Sequence, residues 1–173
     1  RNVPEITDVT RIVAFFQELG SKVAWDKQAK VLEIDHSAIP ANAKATLPQA
    51  MRASIMMIPG LLHRLGEARL EHEVKGCTLG AREIDPHVAV FRAFGAEVSQ
   101  SGGEIIFRAG ANGQAARMWL EYASVTTTEN FILSALTVSG SSQIVNAACE
   151  PHVQEMCTFL ELCGARIAGK GTS

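Results

Sequence analysis

The chain has 173 residues, of which 47% are hydrophobic and 20% are charged. This balance is typical of a soluble globular protein and excludes a disordered chain, a collagen-like repeat and a coiled coil. There are 16 basic and 18 acidic residues, so the overall charge gives no support for a nucleic-acid partner. No apolar run approaches the roughly 18 residues that a membrane span needs, so no membrane partner is expected.

The chain begins with a predicted helix followed by a strand pair. Apolar residues recur with helical periodicity at Val9, Ile12, Val13 and Phe16. The helix is expected to stop at Gly20, because glycine favours the left-handed turn that ends many helices. Two short strands should follow, over residues 22–25 and 30–34.

A second kind of helix is predicted from Met51 to Leu65. Pro59 lies inside this segment and should kink the helix, because proline lacks an N–H group and crowds the preceding turn. The helix is expected to end at Gly66, and a strand should follow over residues 68–72.

Both kinds of segment return in the second half of the chain. A helix that ends at Gly95 should lead to strands over residues 97–99 and 104–108. A helix over about Thr128–Val138 should end at Gly140, before a strand over residues 143–146.

The last predicted helix ends at Gly164, and a strand is expected over residues 165–167. Its apolar face carries Val153, Met156, Cys157 and Leu160. Cys163 is predicted to belong to the same apolar stripe, so both cysteines are expected to be small core residues.

These segments form an internal repeat of three units, over about residues 1–40, 41–110 and 111–173. The first unit has one helix where the others have two, so about twenty residues are expected to be missing before Arg1, with apolar surface left for self-association. Strand–helix–strand connections of this kind build parallel or mixed sheets covered by helices.

The middle unit is nine residues longer than its equivalents, and the extra residues fall around 74–85. Insertions in repeats lie in loops, often on the binding face. This insertion contains Cys77 between Lys75 and Arg82, and neighbouring cations lower the pKa of a thiol. Arg82 could bind a phosphate or a carboxylate. From the residues alone, an inert loop cysteine and a solvated surface arginine are the more common outcomes.

The stretch from Lys75 to Asp85 resembles the active-site loop of the UDP-N-acetylglucosamine enolpyruvyl transferases, whose pattern is G-G-C-x-I-G-A-R-P-V-D. Further segments resemble that family in the same order along the chain. They are Asn2-Val3-Pro4, Met51-Arg52-Ala53-Ser54, Ser124-Val125, Thr128-Glu129-Asn130, Asn146-Ala147-Ala148, Glu150-Pro151 and Gly169-Lys170-Gly171-Thr172. Several motifs in register make this resemblance more specific than one short match.

The resemblance implies an α/β fold of the inside-out barrel type, built from repeated βαβαββ units with the helices inside. Residues 1–173 would then be a single catalytic-loop domain with an incomplete first unit. The second domain of the family would be absent. Because the family's active site lies between two domains, we expect this chain alone to be inactive.

The resemblance also implies an activity, which is transfer of the enolpyruvyl group of phosphoenolpyruvate to a hydroxyl of UDP-N-acetylglucosamine, with release of phosphate. This is the first committed step of peptidoglycan synthesis. It would place the protein in the cytoplasm and in cell wall biogenesis, cell shape, the cell cycle and cell division. No cofactor and no metal are implied.

The roles implied for individual residues follow the same resemblance. Cys77 would protonate the methylene carbon and attach covalently to phosphoenolpyruvate, and Arg52 and Arg82 would hold the anionic substrates. Further substrate contacts are implied at Asp85, His87, Ser124, Val125 and Glu150. A helix-terminal charge at Glu150 and a structural role for His87 are the alternative interpretations.

Several positions depart from the family pattern, and they cluster on the nucleotide–diphosphate side. They are Glu83, Tyr122, Thr126, Thr127, Cys149 and His152. Three hypotheses are therefore carried forward. They are a transferase that uses a UDP-sugar, a transferase with another acceptor such as a nucleotide or a shikimate-type alcohol, and a non-catalytic domain.

Overall fold

The computed structural model of the chain describes residues 1–47, 52–71 and 84–172. Within these ranges there are five α-helices, one 3-10 helix and seven strands. In chain order they are α1 (Thr7–Glu18), β1 (Lys22–Asp26), β2 (Val31–Asp35), the 3-10 helix (Arg52–Met57), α2 (Ile58–Leu65), β3 (Glu67–Glu71), α3 (Asp85–Ala93), β4 (Glu97–Ser101), β5 (Glu104–Arg108), β6 (Arg117–Trp119), α4 (Val125–Ala135), β7 (Gln143–Val145) and α5 (Pro151–Leu162).

The first helix and strand pair form where the sequence predicts them. β1 and β2 pair antiparallel, with Lys22 opposite Asp35. The face of α1 that is fully buried carries Val13 and Phe15, whereas the predicted Phe16 is only half-buried. Phe16 instead packs edge-on against His36, with ring centroids 4.7 Å apart.

The predicted repeat is visible in the turns that end the helices. Gly20, Gly95 and Gly164 have φ angles of 102°, 91° and 104°, so all three adopt the left-handed conformation that favours glycine. Asn2 and Asn146, which precede equivalent helices, also share a positive φ of 61° and 59°. The same local backbone thus recurs at equivalent positions.

The described strands form two antiparallel sheets and one parallel pair, and the parallel pair flanks α4 as the strand–helix–strand order predicts. β3, β5 and β4 make an antiparallel sheet with β5 in the centre. Thr46 adds a parallel bridge to Arg69 in β3. β6 and β7 pair in parallel, with Met118 opposite Ile144. β6 cannot be predicted from the sequence pattern, because three residues are too few to show a strand period.

The prediction of a single kinked helix over residues 51–65 is wrong. Its described part, residues 52–65, is a 3-10 helix followed by α2, which starts at Ile58. Pro59 lies in the first turn of α2. Proline is tolerated there because the N–H groups of the first turn have no partner within the helix.

The boundaries of α4 differ from the predicted 128–138. The helix starts at Val125, because the Ser124 side chain caps its first turn, and it ends at Ala135. Threonines at positions 126–128 have low helix propensity, which hid the first turn from the sequence pattern.

The strand predicted at residues 165–167 is wrong, since this segment has no strand hydrogen bonds among the described residues. A β-strand is defined by its backbone hydrogen bonds to a neighbouring strand. The prediction that Cys163 is a core residue is also wrong. Cys163 is exposed at the end of α5, whereas Cys157 is buried as predicted.

One hydrophobic core joins the elements of all three predicted units. It extends from Phe15 and Leu19, next to β1, to Phe131 in α4. Phe91 packs edge-on against Phe107, with ring centroids 5.5 Å apart. None of the helices within the described ranges is long and apolar enough to cross a membrane.

Candidate functional site

The predicted catalytic residues Cys77 and Arg82, and the departure at Glu83, lie outside the described residues. Arg52 is the first residue of the 3-10 helix, and its side chain also lies outside the described part. The 3-10 helix packs against α4, so the backbone of this predicted phosphate-binding segment lies beside that helix.

The start of α3 holds two of the predicted substrate-binding residues. Asp85 is the first residue of the helix and is exposed. Pro86 follows in the first turn, as its fixed φ favours. His87 turns inward and is only 5% exposed. One helical turn therefore presents a carboxylate to solvent and an imidazole to the interior.

The start of α4 holds the predicted residues Ser124 and Val125. Ser124 is the N-cap, and its Oγ lies 3.4 Å from the Thr127 N–H group and 2.9 Å from the Thr127 hydroxyl, both of which donate to it. Val125 is the first helical residue and is half-buried. Within the described residues, the Ser124 side chain thus serves its own helix.

His87 joins the first turns of α3 and α4. Its Nδ1 lies 2.9 Å from Nδ2 of Asn130. Its Nε2 lies 3.4 Å from Oγ1 of Thr126, a long hydrogen bond. The structure therefore brings the segment of Asp85 and His87 together with that of Ser124 and Val125, as a shared binding site requires.

The segment before α5 also contacts α4. Glu150 is the N-cap of α5 and is exposed, and its side chain makes no capping hydrogen bond. The Ala148 N–H group, two residues earlier, donates to Oγ1 of Thr128 in α4 at 2.9 Å. The predicted residue Glu150 is therefore close in sequence to a direct contact with α4.

The pKa of Glu129 depends on the charged residues at the start of α5. Burial raises the pKa of its carboxyl group, the positive charge of His152 lowers it, and the negative charge of Glu150 raises it further. The net direction is upward, because burial is the largest effect.

The buried face of α4 is unusually polar. Four of its five buried residues are polar: Thr127, Thr128, Asn130 and Ser134. Buried polar groups in proteins are nearly always hydrogen-bonded. The Asn130 side chain is fully buried, yet its Oδ1 has no hydrogen-bond partner among the described residues.

The burial of this polar face is not evident from the sequence. Thr128 and Asn130 stood out only as part of a family-like segment, and a polar side chain on a helix is ordinarily expected to face water. The three-threonine run followed by Glu and Asn is the one signal that could have marked it, since such residues disfavour an ordinary apolar core helix.

The positions that depart from the family pattern lie around these helix starts. Tyr122 is 50% exposed and precedes the cap of α4. Cys149 is an exposed free thiol, and His152 is exposed in the first turn of α5. Thr126 is half-buried and faces His87.

Together, the first turn of α3 and the segment before α5 contact polar residues of α4, so the three helix starts lie near one polar surface. The first N–H groups of a helix have no partner within it, and the helix dipole places partial positive charge there. Such ends bind phosphate and carboxylate groups. The arrangement is therefore suited to an anionic ligand.

Solved structures define the fold. The enolpyruvyl transferase NikO from Streptomyces tendae superposes with a TM-score of 0.76, at 21% sequence identity, over 96% of this chain and 39% of that one. EPSP synthase from Acinetobacter baumannii superposes with a TM-score of 0.66, at 16% identity, over 94% of this chain and 37% of that one. The chain thus has the α/β fold of the enolpyruvyl transferases, which confirms the predicted fold class.

Sequence comparison identifies the family of the chain. Residues 1–173 match the family described as EPSP synthase (3-phosphoshikimate 1-carboxyvinyltransferase), and the chain belongs to that family. Two similar relatives are both named UDP-N-acetylglucosamine 1-carboxyvinyltransferase. The one from Thermobifida fusca is 37% identical over 177 residues, which is 99% of this chain and 41% of the relative. The one from Coxiella burnetii is 37% identical over 172 residues, which is 99% of this chain and 39% of the relative. The chain therefore spans about two fifths of the length of these relatives.

Proposed function

We propose that the chain is the catalytic-loop domain of an enolpyruvyl transferase that uses UDP-N-acetylglucosamine. The observation that carries the proposal is the 37% identity to relatives named for that reaction over 99% of the chain. The gathered helix starts support it, because both substrates of the reaction are anions that such a site can hold.

In the proposed reaction, phosphoenolpyruvate first undergoes an addition. The acceptor hydroxyl oxygen bonds to the carbon that bears the phosphate, a base takes the hydroxyl proton, and the methylene carbon gains a proton. Elimination follows, in which the new methyl carbon loses a proton, the carbon–oxygen bond to phosphate breaks, and phosphate leaves. Atoms and electrons balance without a metal or a redox cofactor.

The proposed roles of the residues follow this chemistry. Cys77 supplies the proton to the methylene carbon, since a thiol can have a pKa near neutrality. In the covalent adduct, the S–H group adds across the double bond and the sulfur bonds to the carbon that bears the phosphate. This carbon–sulfur bond breaks again, with return of the proton to the thiol, before the acceptor oxygen bonds to that carbon. Arg52 and Arg82 hold the phosphate and stabilise charge in the tetrahedral intermediate. Phosphoenolpyruvate thus lies near the segments that contain these three residues.

The nucleotide sugar is proposed to lie at the helix starts. Asp85 and His87 at α3, Ser124 and Val125 at α4, and Glu150 at α5 are the proposed contacts. Their first turns meet through His87, Thr126 and Thr128, which supports a single binding surface. A second domain of the same enzyme would complete the site and exclude water.

The proposed setting follows from the reaction. The transferase would act in the cytoplasm, at the first committed step of peptidoglycan synthesis, and so in cell wall biogenesis, cell shape, the cell cycle and cell division. Neither a nucleic acid nor a membrane is a proposed partner.

The sharpest test is selective alkylation of Cys77. Fosfomycin, an epoxide that mimics phosphoenolpyruvate, should modify Cys77 if the phosphate-holding groups are assembled. Cys149 and Cys163 are exposed thiols and serve as internal controls for general reactivity, whereas Cys157 is buried. Peptide mass spectrometry should find the adduct on Cys77 and not on the other three. Equal modification of Cys149 would contradict a special role for Cys77.

A second experiment measures turnover. Phosphate release from phosphoenolpyruvate and UDP-N-acetylglucosamine should be negligible with this chain alone, because half of the proposed site belongs to the second domain. Release at the rate of a complete transferase would contradict the expectation of inactivity while supporting the proposed reaction.

A different acceptor is the second candidate function. The exposed Tyr122 beside the cap of α4 favours it, since a phenol cannot neutralise a diphosphate as a cation does. The same proposed reaction would then use another alcohol. Calorimetric titration with UDP-N-acetylglucosamine and with shikimate 3-phosphate separates the two, because only the true acceptor class should bind.

A further inference from the structure

The buried pair of His87 and Asn130 has a geometry that determines which nitrogen of the imidazole carries the proton. His87 is 5% exposed and Asn130 is 0% exposed. Nδ2 of Asn130 lies 2.9 Å from Nδ1 of His87. An amide NH₂ group can only donate, so Nδ1 of His87 must accept, and a nitrogen that accepts carries no proton.

The opposite orientation of the amide is chemically less favourable. Either orientation leaves one end of the Asn130 amide without a partner, because Oδ1 has none among the described residues. Buried N–H groups without a partner are rarer in proteins than under-satisfied carbonyl oxygens. The orientation that leaves the carbonyl unpaired, and the NH₂ group bonded to Nδ1, is therefore preferred.

The other imidazole nitrogen then has a defined role. In a neutral histidine whose Nδ1 accepts, the proton resides on Nε2. Nε2 lies 3.4 Å from Oγ1 of Thr126, a side chain in the first turn of α4. His87 is thereby a neutral donor directed towards the start of α4.

We propose that Asn130 is the positioning residue that holds His87 as the neutral Nε2–H tautomer and fixes the first turn of α3 against that of α4. α3 follows directly on the segment with the proposed catalytic Cys77 and Arg82, and α4 begins at the proposed substrate contacts Ser124 and Val125. Within the described residues, the Asn130 side chain hydrogen-bonds to His87, and it acts through that histidine. The tautomer rests on the geometry of the buried pair and on the preferred amide orientation, whereas its consequence for the acceptor rests on the proposed function.

Nitrogen-15 NMR of the imidazole tests the tautomer directly. The chain is labelled at histidine, and the His87 signals are assigned by their loss in His87→Gln. At neutral pH, the wild-type spectrum should show Nδ1 as an unprotonated acceptor and Nε2 as protonated. A protonated Nδ1 in the wild type would overturn the proposal.

The Asn130→Asp variant tests whether Asn130 is the determinant. A carboxylate only accepts, so Nδ1 of His87 must become protonated while the shape of the side chain is kept. Ser134→Ala is the matched control, because Ser134 is another buried polar residue of α4, one helical turn away. It should leave the His87 spectrum unchanged. An unprotonated Nδ1 in Asn130→Asp would count against the assignment.

Thr126→Val separates the contribution of Thr126 from that of Asn130. It removes the acceptor near Nε2 with little change of shape, and the Nδ1 signal should remain that of an acceptor. Conversion to an Nδ1–H tautomer in this variant would transfer the positioning role to Thr126 and overturn the proposal for Asn130.

Binding of UDP-N-acetylglucosamine, measured by calorimetry, tests the functional consequence. Asn130→Asp should weaken binding relative to Ser134→Ala, because it alters the charge and donor pattern of His87. Equal binding by the two variants would contradict a positioning role in acceptor binding. Absence of binding by the wild type would count against the proposed function, and the NMR result would still decide the tautomer.

Discussion

At the scale of single residues, Glu129 illustrates how burial and charge oppose each other. Its carboxyl group is half-buried between α4 and α5, and burial raises its pKa above the ordinary value of 4.5. His152 favours the ionised form and Glu150 disfavours it. Since burial has the largest effect, the ionised carboxylate is less stable in the folded chain than in water.

Glu129→Gln should therefore stabilise the chain at neutral pH. A carboxyl with a raised folded-state pKa loses its contribution to stability as the pH rises from 4.5 through the folded-state value. The glutamine side chain does not ionise. Its higher free energy of unfolding, relative to the wild type, should therefore be present at about pH 7 and should vanish near pH 4. Urea unfolding at both pH values measures it. Glu155→Gln, at an exposed position of α5, is the control and should show a smaller difference between the two pH values.

Glycine substitutions should show opposite signs at two positions with ordinary φ angles. A Cβ atom at Gly110 would overlap the carbonyl oxygen of Gly95, whereas a Cβ atom at Gly60, exposed in α2, would meet nothing within 4 Å. Gly110→Ala should lose about 1–3 kcal/mol of unfolding free energy from overpacking. Gly60→Ala should gain up to about 1 kcal/mol, from helix propensity. Chemical denaturation measures both, and a neutral Gly110→Ala would contradict the close approach of the two backbones.

Sequence patterns predicted the apolar residues of the core better than the polar ones. Val13, Val153 and Cys157 are buried on the predicted faces. Asn130 and Thr128 are buried as well, but hydrophobic periodicity cannot detect them, because each has a hydrogen-bond partner in a segment distant in sequence. His87, for example, lies 43 residues from Asn130 in the chain.

At the scale of elements, the helix starts carry most of the proposed site. Their caps differ, since Ser124 accepts a hydrogen bond from the first turn of α4 and Glu150 makes none to α5. Helix ends at glycine were predictable, because the left-handed turn has a strong residue preference. The start of α4 was not, because its three threonines resemble a loop as much as a helix.

Removal of the two N-caps should therefore have unequal effects. Ser124→Ala should cost about 1 kcal/mol of unfolding free energy, because the first turn of α4 loses its side-chain acceptor. Glu150→Ala should cost clearly less, since no capping hydrogen bond is lost. Thermal and urea unfolding compare the two variants. Ser124→Thr, which keeps the hydroxyl, should restore most of the loss. Equal destabilisation by the two alanine variants would contradict the assigned caps.

At the scale of the whole molecule, a repeated unit is built into one core. The repeat itself was predictable, because Gly20, Gly95 and Gly164 mark it in the sequence and all adopt positive φ angles. The way in which the units share their interior was not, since no local pattern specifies which aromatic ring meets which. Phe94, at the end of α3, packs against Phe131 of α4 with ring centroids 5.0 Å apart. This contact joins the middle unit to the third.

Because the core is shared, a substitution at the contact between Phe94 and Phe131 should also destabilise the sheet that contains β5. Phe131→Leu should lower the unfolding free energy by about 1 kcal/mol, because the edge-on ring pair is lost. Hydrogen exchange should then show the same loss of protection in α4 and in β5, where Phe107 is fully buried in the same core. Phe159→Leu is the matched control, because this phenylalanine is 61% exposed on α5 and its truncation should leave protection unchanged. If protection fell in α4 while β5 kept its full value, the units would unfold separately, and the contact between Phe94 and Phe131 would be an interface between independent modules.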